Sequence, residues 1–289
     1  MKFLPESELL KIRKHLFSET HKKELVYDFL KGESFYADRM ADALRDAQEH
    51  AGPYGAIASL PELIAARLKA DKEHELWKNW YDCMSEENIG IDKEGKQVKP
   101  GEAVLVVVHG GGILSTPERI EKAIEEKLVD GSAKYTEDEW HNLLDGRLPN
   151  GKKITLYPLE EILHGTTPTS RNYGIVMPYE MAQATKSGYH TKEEFIQNPL
   201  VLARIGNKEN AEQYFDFALQ RYFEATKDRW DLVGNWYPFK GRDPSQPQGN
   251  LLFLSHALSI SLLYGFSHLI SGDCFLGVVP DAQRESNKK

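Results

Sequence analysis

The sequence predicts an α/β fold, with α+β as the neighbouring alternative: a helix-rich N-terminal third packed on a parallel or mixed sheet flanked by helices. Three observations lead there. Apolar residues recur at helical spacing through most of the first hundred positions. The run Val104-Leu105-Val106-Val107-Val108 reads as a strand buried on both faces. Beyond it, strand and helix candidates alternate, the pattern of helices layered on a sheet. With 289 residues and 40% hydrophobic content the chain has ample material for a core. The change of periodicity divides it into a helical N-terminal subdomain, residues 1–100, and an α/β domain, residues 101–289.

Taken in order, residues 6–30 carry Leu9, Ile12, Leu16 and Phe17 on one helical face, with Gly32 as a stop. Residues 34–50 repeat the pattern with Phe35, Met40, Ala43, Leu44 and Ala47 before the break Gly52-Pro53-Tyr54-Gly55. Residues 60–84 hold one or two further helices, the second with Leu76, Trp77, Trp80, Tyr81 and Met84 as a core-facing stripe. A charged turn, residues 92–96, and Lys99-Pro100-Gly101 close the third. Strands are then expected at 103–109, 153–157, 174–177 and 275–279, and helices at 117–129, 136–145, 191–197 and 208–227. In the last, Ala211, Tyr214, Phe215, Ala218, Leu219, Tyr222 and Phe223 share one face. The apolar tract 251–270 is interrupted by serines, glycine and histidines, so it reads as core rather than a membrane span. Residues 281–289 form a polar tail.

Charge and cysteine usage narrow the partners. A formal net charge of -8 argues against a nucleic-acid backbone or an acidic membrane surface. Cys83 and Cys274, too few for a disulfide framework, are expected as reduced buried thiols of a cytoplasmic protein, and the N-terminus has no apolar signal core. His256 and His268, twelve residues apart, would diverge on one helix. Together with the lack of His-Glu-x-x-His or Cys-x-x-Cys spacing, this leaves no metal site predicted.

The chemistry concentrates where the valine strand ends, at His109-Gly110-Gly111-Gly112. Glycines lacking Cβ let the backbone turn tightly or approach a ligand, and Ser115 with Glu118 fits a capping box followed by Pro117. Bare amides at this turn would hold an anion, and His109 beyond the strand end would be the proton-transfer group. The same residues also read as a tight structural turn. A second loop, residues 164–172, offers Thr166, Thr167, Thr169, Ser170 and Asn172 as ligand-binding groups and Arg171 as counter-charge. A third, residues 241–250, reads as a connector or a lid.

Resemblances bear on this turn. His109-Gly110-Gly111-Gly112 resembles the oxyanion loop of lipase and esterase α/β-hydrolases, which implies a Gly-x-Ser-x-Gly elbow downstream; the chain has none. Residues 106–112 resemble the phosphate-side loop of amino-acid kinases such as acetylglutamate kinase, and the likeness stops there, because the helical N-terminus has no lysine-bearing glycine turn. Gly110-x-Gly112-x-x-Ser115 is a degenerate dinucleotide fingerprint without the acidic residue expected about 20 positions on.

The expectation is therefore a cytoplasmic enzyme, a transferase rather than a hydrolase, that binds an anionic, phosphate-bearing small molecule. Gly110, Gly111, Gly112 and Ser115 would hold the ligand, and His109 and Arg171 would be catalytic. No cofactor is specified. The alternative is a non-catalytic structural or partner-binding protein, a homo-oligomer for example, with Trp77, Trp80 and Tyr81 of the N-terminal third partly exposed at an interface.

Overall fold

The computed structural model describes residues 27–71, 73–237, 241–255, 263–265, 269–270 and 274–279. Residues 6–26 of the helix expected at 6–30, together with His256, His268 and the tail, lie outside these residues. The strands are β1 (Glu33–Tyr36), β2 (Ala56–Ile57), β3 (Tyr81–Asp92), β4 (Glu102–His109), β5 (Ala133–Lys134), β6 (Thr155–Pro158), β7 (Tyr173–Pro178), β8 (Gly188–His190), β9 (Val233–Trp236), β10 (Gln248–Leu254), β11 (Leu263–Tyr264) and β12 (Cys274–Val278). The helices are α1 (Met40–Ala51), α2 (Leu60–Lys69), α3 (Pro117–Glu125), α4 (Glu137–Leu144), α5 (Leu159–Leu163), α6 (Tyr179–Ala184), α7 (Lys192–Gln197), α8 (Pro199–Ile205) and α9 (Lys208–Thr226).

A large mixed sheet runs in the order β6-β7-β4-β3-β10-β11-β9-β8, with β5 beside β10, and a smaller sheet runs β1-β12-β2. Only β6–β7 and β9–β11 pair in parallel among the described ladders. The chain is thus a mixture of helices and strands around a mixed sheet, as α/β or α+β composition predicts. The valine run explains the layering. Leu105 and Val107 point into one apolar cluster with Leu63, Ile64, Leu200, Val201 and Tyr214. Val104, Val106 and Val108 point into another with Met40, Leu44, Ile120, Trp140 and Phe275. Side chains alternate along a strand, so helices must cover both faces, and α2, α8 and α9 lie on one side while α1, α3 and α4 lie on the other.

The N-terminal third is not the helical unit expected. Residues 33–36 form β1, with Phe35 opposite Phe275, and only residues 40–51 of the second expected helix are helical. After α2 and a short turn at Glu75–Trp77, the stripe predicted as one helix becomes the start of β3, the longest strand described. Leu76, Trp77, Tyr81 and Met84 are buried as a core stripe should be, while Trp80 is exposed. β3 hides from a periodicity search because its buried positions include Asp82, Ser85, Glu86, Glu87, Asn88 and Asp92. It lies at the middle of the sheet, paired with β4 on one side and β10 on the other. The expected boundary at 100/101 falls in the β3–β4 hairpin.

From β4 onward the expected elements form: β6, β7 and β12 match the expected strands, and α3, α4, α7 and α9 the expected helices. The start of α3 differs in register. Thr116, not Ser115, is the N-cap, its hydroxyl accepting from the Arg119 amide. Ser115 Oγ instead donates to the Gly112 carbonyl at 2.8 Å and closes the glycine turn. Residues 248–254, split in the sequence reading between a loop and an apolar tract, form β10.

Candidate functional site

At the end of β4 the glycine turn has the geometry its sequence requires. Gly110 and Gly111 adopt φ of 78° and 106°, which side-chain-bearing residues rarely adopt. The Gly111 amide donates to the Met84 carbonyl at 2.9 Å. The Ile113 and Leu114 amides donate to the two oxygens of the Glu86 carboxylate at 2.9 and 2.7 Å. A Cβ on Gly112 would stand 2.4 Å from the same carboxylate. The turn does cradle an anion, and that anion is the protein's own fully buried Glu86. The exogenous ligand expected at Gly110–Gly112 is therefore corrected: the Gly111 amide is taken by the Met84 carbonyl, and the Glu86 carboxylate occupies the space against Gly112. Burial pushes the Glu86 carboxyl up to about 7 against the pull of these amides and of Arg119.

His109 is fully buried beside this turn. Its Nδ1 lies 2.9 Å from Ser85 Oγ and its Nε2 lies 2.8 Å from the Ala203 carbonyl. Ser85 Oγ also accepts from the Leu60 amide. The carbonyl can only accept, so Nε2 carries the proton and Nδ1 accepts from Ser85. Burial lowers the imidazole to about 4, and the neutral ring ties β4, β3, α2 and α8 together. The expected proton-transfer role is corrected, since the ring is fully buried and both of its nitrogens are engaged, one by Ser85 and one by the Ala203 carbonyl, leaving none to meet a ligand.

The second loop does fold against the glycine turn: Asn172 Nδ2 donates to the Gly110 carbonyl. Arg171, expected as a free counter-charge, is paired with Glu62 through Nε at 2.7 Å and Nη2 at 3.2 Å, donates to the Ile57 carbonyl, and lies over the Tyr27 ring. The Thr166 amide closes the end of α5 on the Glu161 carbonyl. Thr167, Thr169, Ser170 and Arg171 line a cleft of about 280 Å³ with Glu62 and Tyr173. In the third loop Arg242 donates to Ser132 Oγ and to the Asp130 carbonyl, which ties the loop to residues 130–132.

Sequence reasoning missed a row of aromatic rings across β8, β9, β11 and β10. Trp236, Tyr264 and Phe253 occupy directly paired positions on three adjacent strands. Trp236 stacks on Tyr264 at 6.2 Å, and Tyr264 meets Phe253 edge-on at 5.7 Å. Tyr189 lies edge-on to both Trp236 and Trp230. Tyr189 is 37% exposed and Trp230 42% exposed. Phe223, Arg229, Trp230 and Asp231 border an adjoining cleft of about 570 Å³. The available signal was the alternation in Val233-Gly234-Asn235-Trp236, with Val233 and Asn235 inward and Trp236 outward.

Behind the row sits a buried ionic clamp. Arg204 Nε and Nη2 donate to Glu87 at 2.6 and 3.0 Å, and its Nη1 donates to Asn235 Oδ1. All three residues are fully buried, so the charges have no water and depend on one another. A Cβ on Gly265 would lie 2.2 Å from Arg204 Nη2 and from Glu87 Oε2, so only glycine lets β11 approach the clamp. Among the described residues no group of His, Cys, Asp or Glu is placed to hold a metal ion. No described helix is long and apolar enough to cross a membrane. Cys83 and Cys274 are free and buried.

No protein-family model and no curated protein matches the chain. It is similar to a solved structure from Nanoarchaeota, described as accommodating massive sequence variation in the C-type lectin fold. The match covers 89% of this chain and 100% of that one, with 25% identity and a TM-score of 0.64. That fold is α+β. It overturns the expectation of a phosphate-binding transferase and favours the alternative, a partner-binding protein.

Proposed function

We propose that this chain is a non-catalytic partner-binding protein whose binding face is the aromatic row of Tyr189, Trp230, Trp236, Tyr264 and Phe253. The observation that carries the reading is the row itself: rings from adjacent strands, part exposed, backed by a buried clamp that fixes the strands beneath them. Rigid Tyr and Trp side chains supply contact area at low entropic cost and dominate protein interfaces. The face is open and spans four strands, roughly 15 Å at ordinary strand spacing. Small molecules favour enclosed pockets, so the face suits a protein or peptide whose large side chain enters the cleft beside Trp230 and Phe223. The similar Nanoarchaeota protein is described as accommodating massive sequence variation. A scaffold held from its interior suits that use, because outward residues can change while the clamp keeps the backbone.

The alternative placed the interface in the N-terminal third. Of the three rings it named, Trp77 and Tyr81 are buried and Trp80 stands exposed alone, which favours the aromatic row instead. The test is selection of binders from a random displayed peptide library against the whole protein. Peptides enriched on the wild type should lose at least tenfold in affinity on Tyr189→Ala/Trp230→Ala, a surface change that leaves the circular dichroism unaltered. Enriched peptides indifferent to that change, or no enrichment at all, would overturn the reading.

A further inference from the structure

We propose that the cleft between the start of α2, the 167–171 loop and Gly206 is a second, separate binding site, for a small uncharged ligand rich in hydroxyl groups. It does not depend on the aromatic row. Its floor is Tyr173, whose residue is only 7% exposed, whose ring packs on His109 at 4.8 Å, and whose hydroxyl has no hydrogen-bond partner among the described residues. The hydroxyl of this buried residue faces the cleft, so whatever fills the cleft is what satisfies it. Gly206 keeps this hydroxyl open to the cleft, since a Cβ there would come within 2.4 Å of the phenolic oxygen.

The charges on the walls are spent. Glu62 accepts from Arg171, from the Ser59 amide at 2.8 Å and from Ser59 Oγ at 2.7 Å. Arg171 is engaged by Glu62 and by the Ile57 carbonyl. A charged ligand would find no free counter-ion and would have to break this pair. What remains is hydroxyl chemistry: Tyr173 at the bottom, and Thr167 and Thr169 at the rim. Each of these can both donate and accept. Ile205 and Pro61 add apolar surface between them. At about 280 Å³ the cleft lies just below the usual range for small-molecule sites, which limits it to a small ligand. A small polyol, with alternating hydroxyls and an apolar carbon face, matches this lining.

The test is saturation-transfer NMR on the full chain with glucose, myo-inositol and mannitol as probes, and acetate and inorganic phosphate as charged comparators. At least one neutral polyol should receive saturation at millimolar concentration while acetate and phosphate neither bind nor compete. Tyr173→Phe, which keeps the ring and its packing, should weaken that binding at least fivefold, and Thr169→Val should weaken it measurably. Tyr189→Ala/Trp230→Ala should leave it unchanged, which keeps this proposal distinguishable from the aromatic-row reading. Transfer to none of the polyols, undiminished transfer in Tyr173→Phe, or displacement by phosphate would each overturn the proposal.

Discussion

Glu86 and His109 are both fully buried near the glycine turn, and burial drives their protonation in opposite senses. Glu86 is raised from 4.5 to about 7. Below pH 4.5 both folded and unfolded chains hold its proton. As pH rises from there to about 7 the unfolded chain ionises first, so stability is lost across that window, on the order of 3 kcal/mol. His109 is lowered from 6.5 to about 4. As pH falls from 6.5 toward 4 the unfolded chain takes up the proton first, so stability is lost in the acid direction by a similar amount. The slopes oppose each other between the two windows, and the wild type should show a shallow dependence there. Glu86→Gln removes one slope; its urea midpoint should rise with pH from 4 to 6.5. A Glu86→Gln profile as flat as the wild type would refute the assignment. Arg119 and Tyr135 are the other titrating groups acting on Glu86, and neither changes state in this range. The same carboxylate sets the cost of a methyl group at Gly112. Gly112→Ala should destabilise by about 2 kcal/mol through overpacking. In a Glu86→Ala background the cost should shrink, because the Cβ then meets space instead of an oxygen. Equal costs in the two backgrounds, by denaturant titration, would show that the clash is not the cause.

At the scale of elements, the clamp of Glu87, Arg204 and Asn235 joins β3, α8 and β9. Arg204→Met leaves Glu87 charged and buried without its partner, and should cost about 3–5 kcal/mol. Glu87→Met together with Arg204→Met should recover most of that loss, since two apolar residues need no compensation. Thermal unfolding of the wild type and the two variants tests it; a double variant no more stable than the single one would place the loss in packing. This clamp also shows which elements can be read from sequence. β4 and α9 were legible because their burial is apolar and periodic: valines for the strand, Ala211, Tyr214, Phe215 and Ala218 for the helix. β3 was not, because its acids are buried by partners far away along the chain: Arg204 lies 117 residues from Glu87, and the Leu114 amide 28 from Glu86. The glycine turn was legible as an anion cradle, but the sequence does not tell that its anion comes from the adjacent strand. The aromatic row stayed hidden because it is assembled by the register of four strands, none of which carries more than one of its rings.

The whole molecule is organised around β3 rather than around a boundary near residue 100. β4 and β10 both pair with it, and β12, near the end of the described chain, lies between β1 and β2 from its beginning. The two apolar clusters likewise mix early and late residues: Leu63 with Leu254 and Leu276 in one, Leu44 with Leu251 and Phe275 in the other. A fragment beginning at residue 101 would therefore lose the central strand, both partners of β12, and the acids that neutralise Arg204 and fill the glycine turn. β4 and β10 would expose unpaired edges with apolar residues on both faces, a combination that favours aggregation. Such a fragment should show neither a cooperative thermal transition nor dispersed amide resonances, and should elute from gel filtration as large aggregates. The full chain should unfold in one transition, with β3 and β4 amides the slowest to exchange and the edge strand β8 among the fastest. A soluble, cooperatively folding 101–289 fragment would mean that the C-terminal sheet closes without β3, and the central position argued for that strand would have to be abandoned.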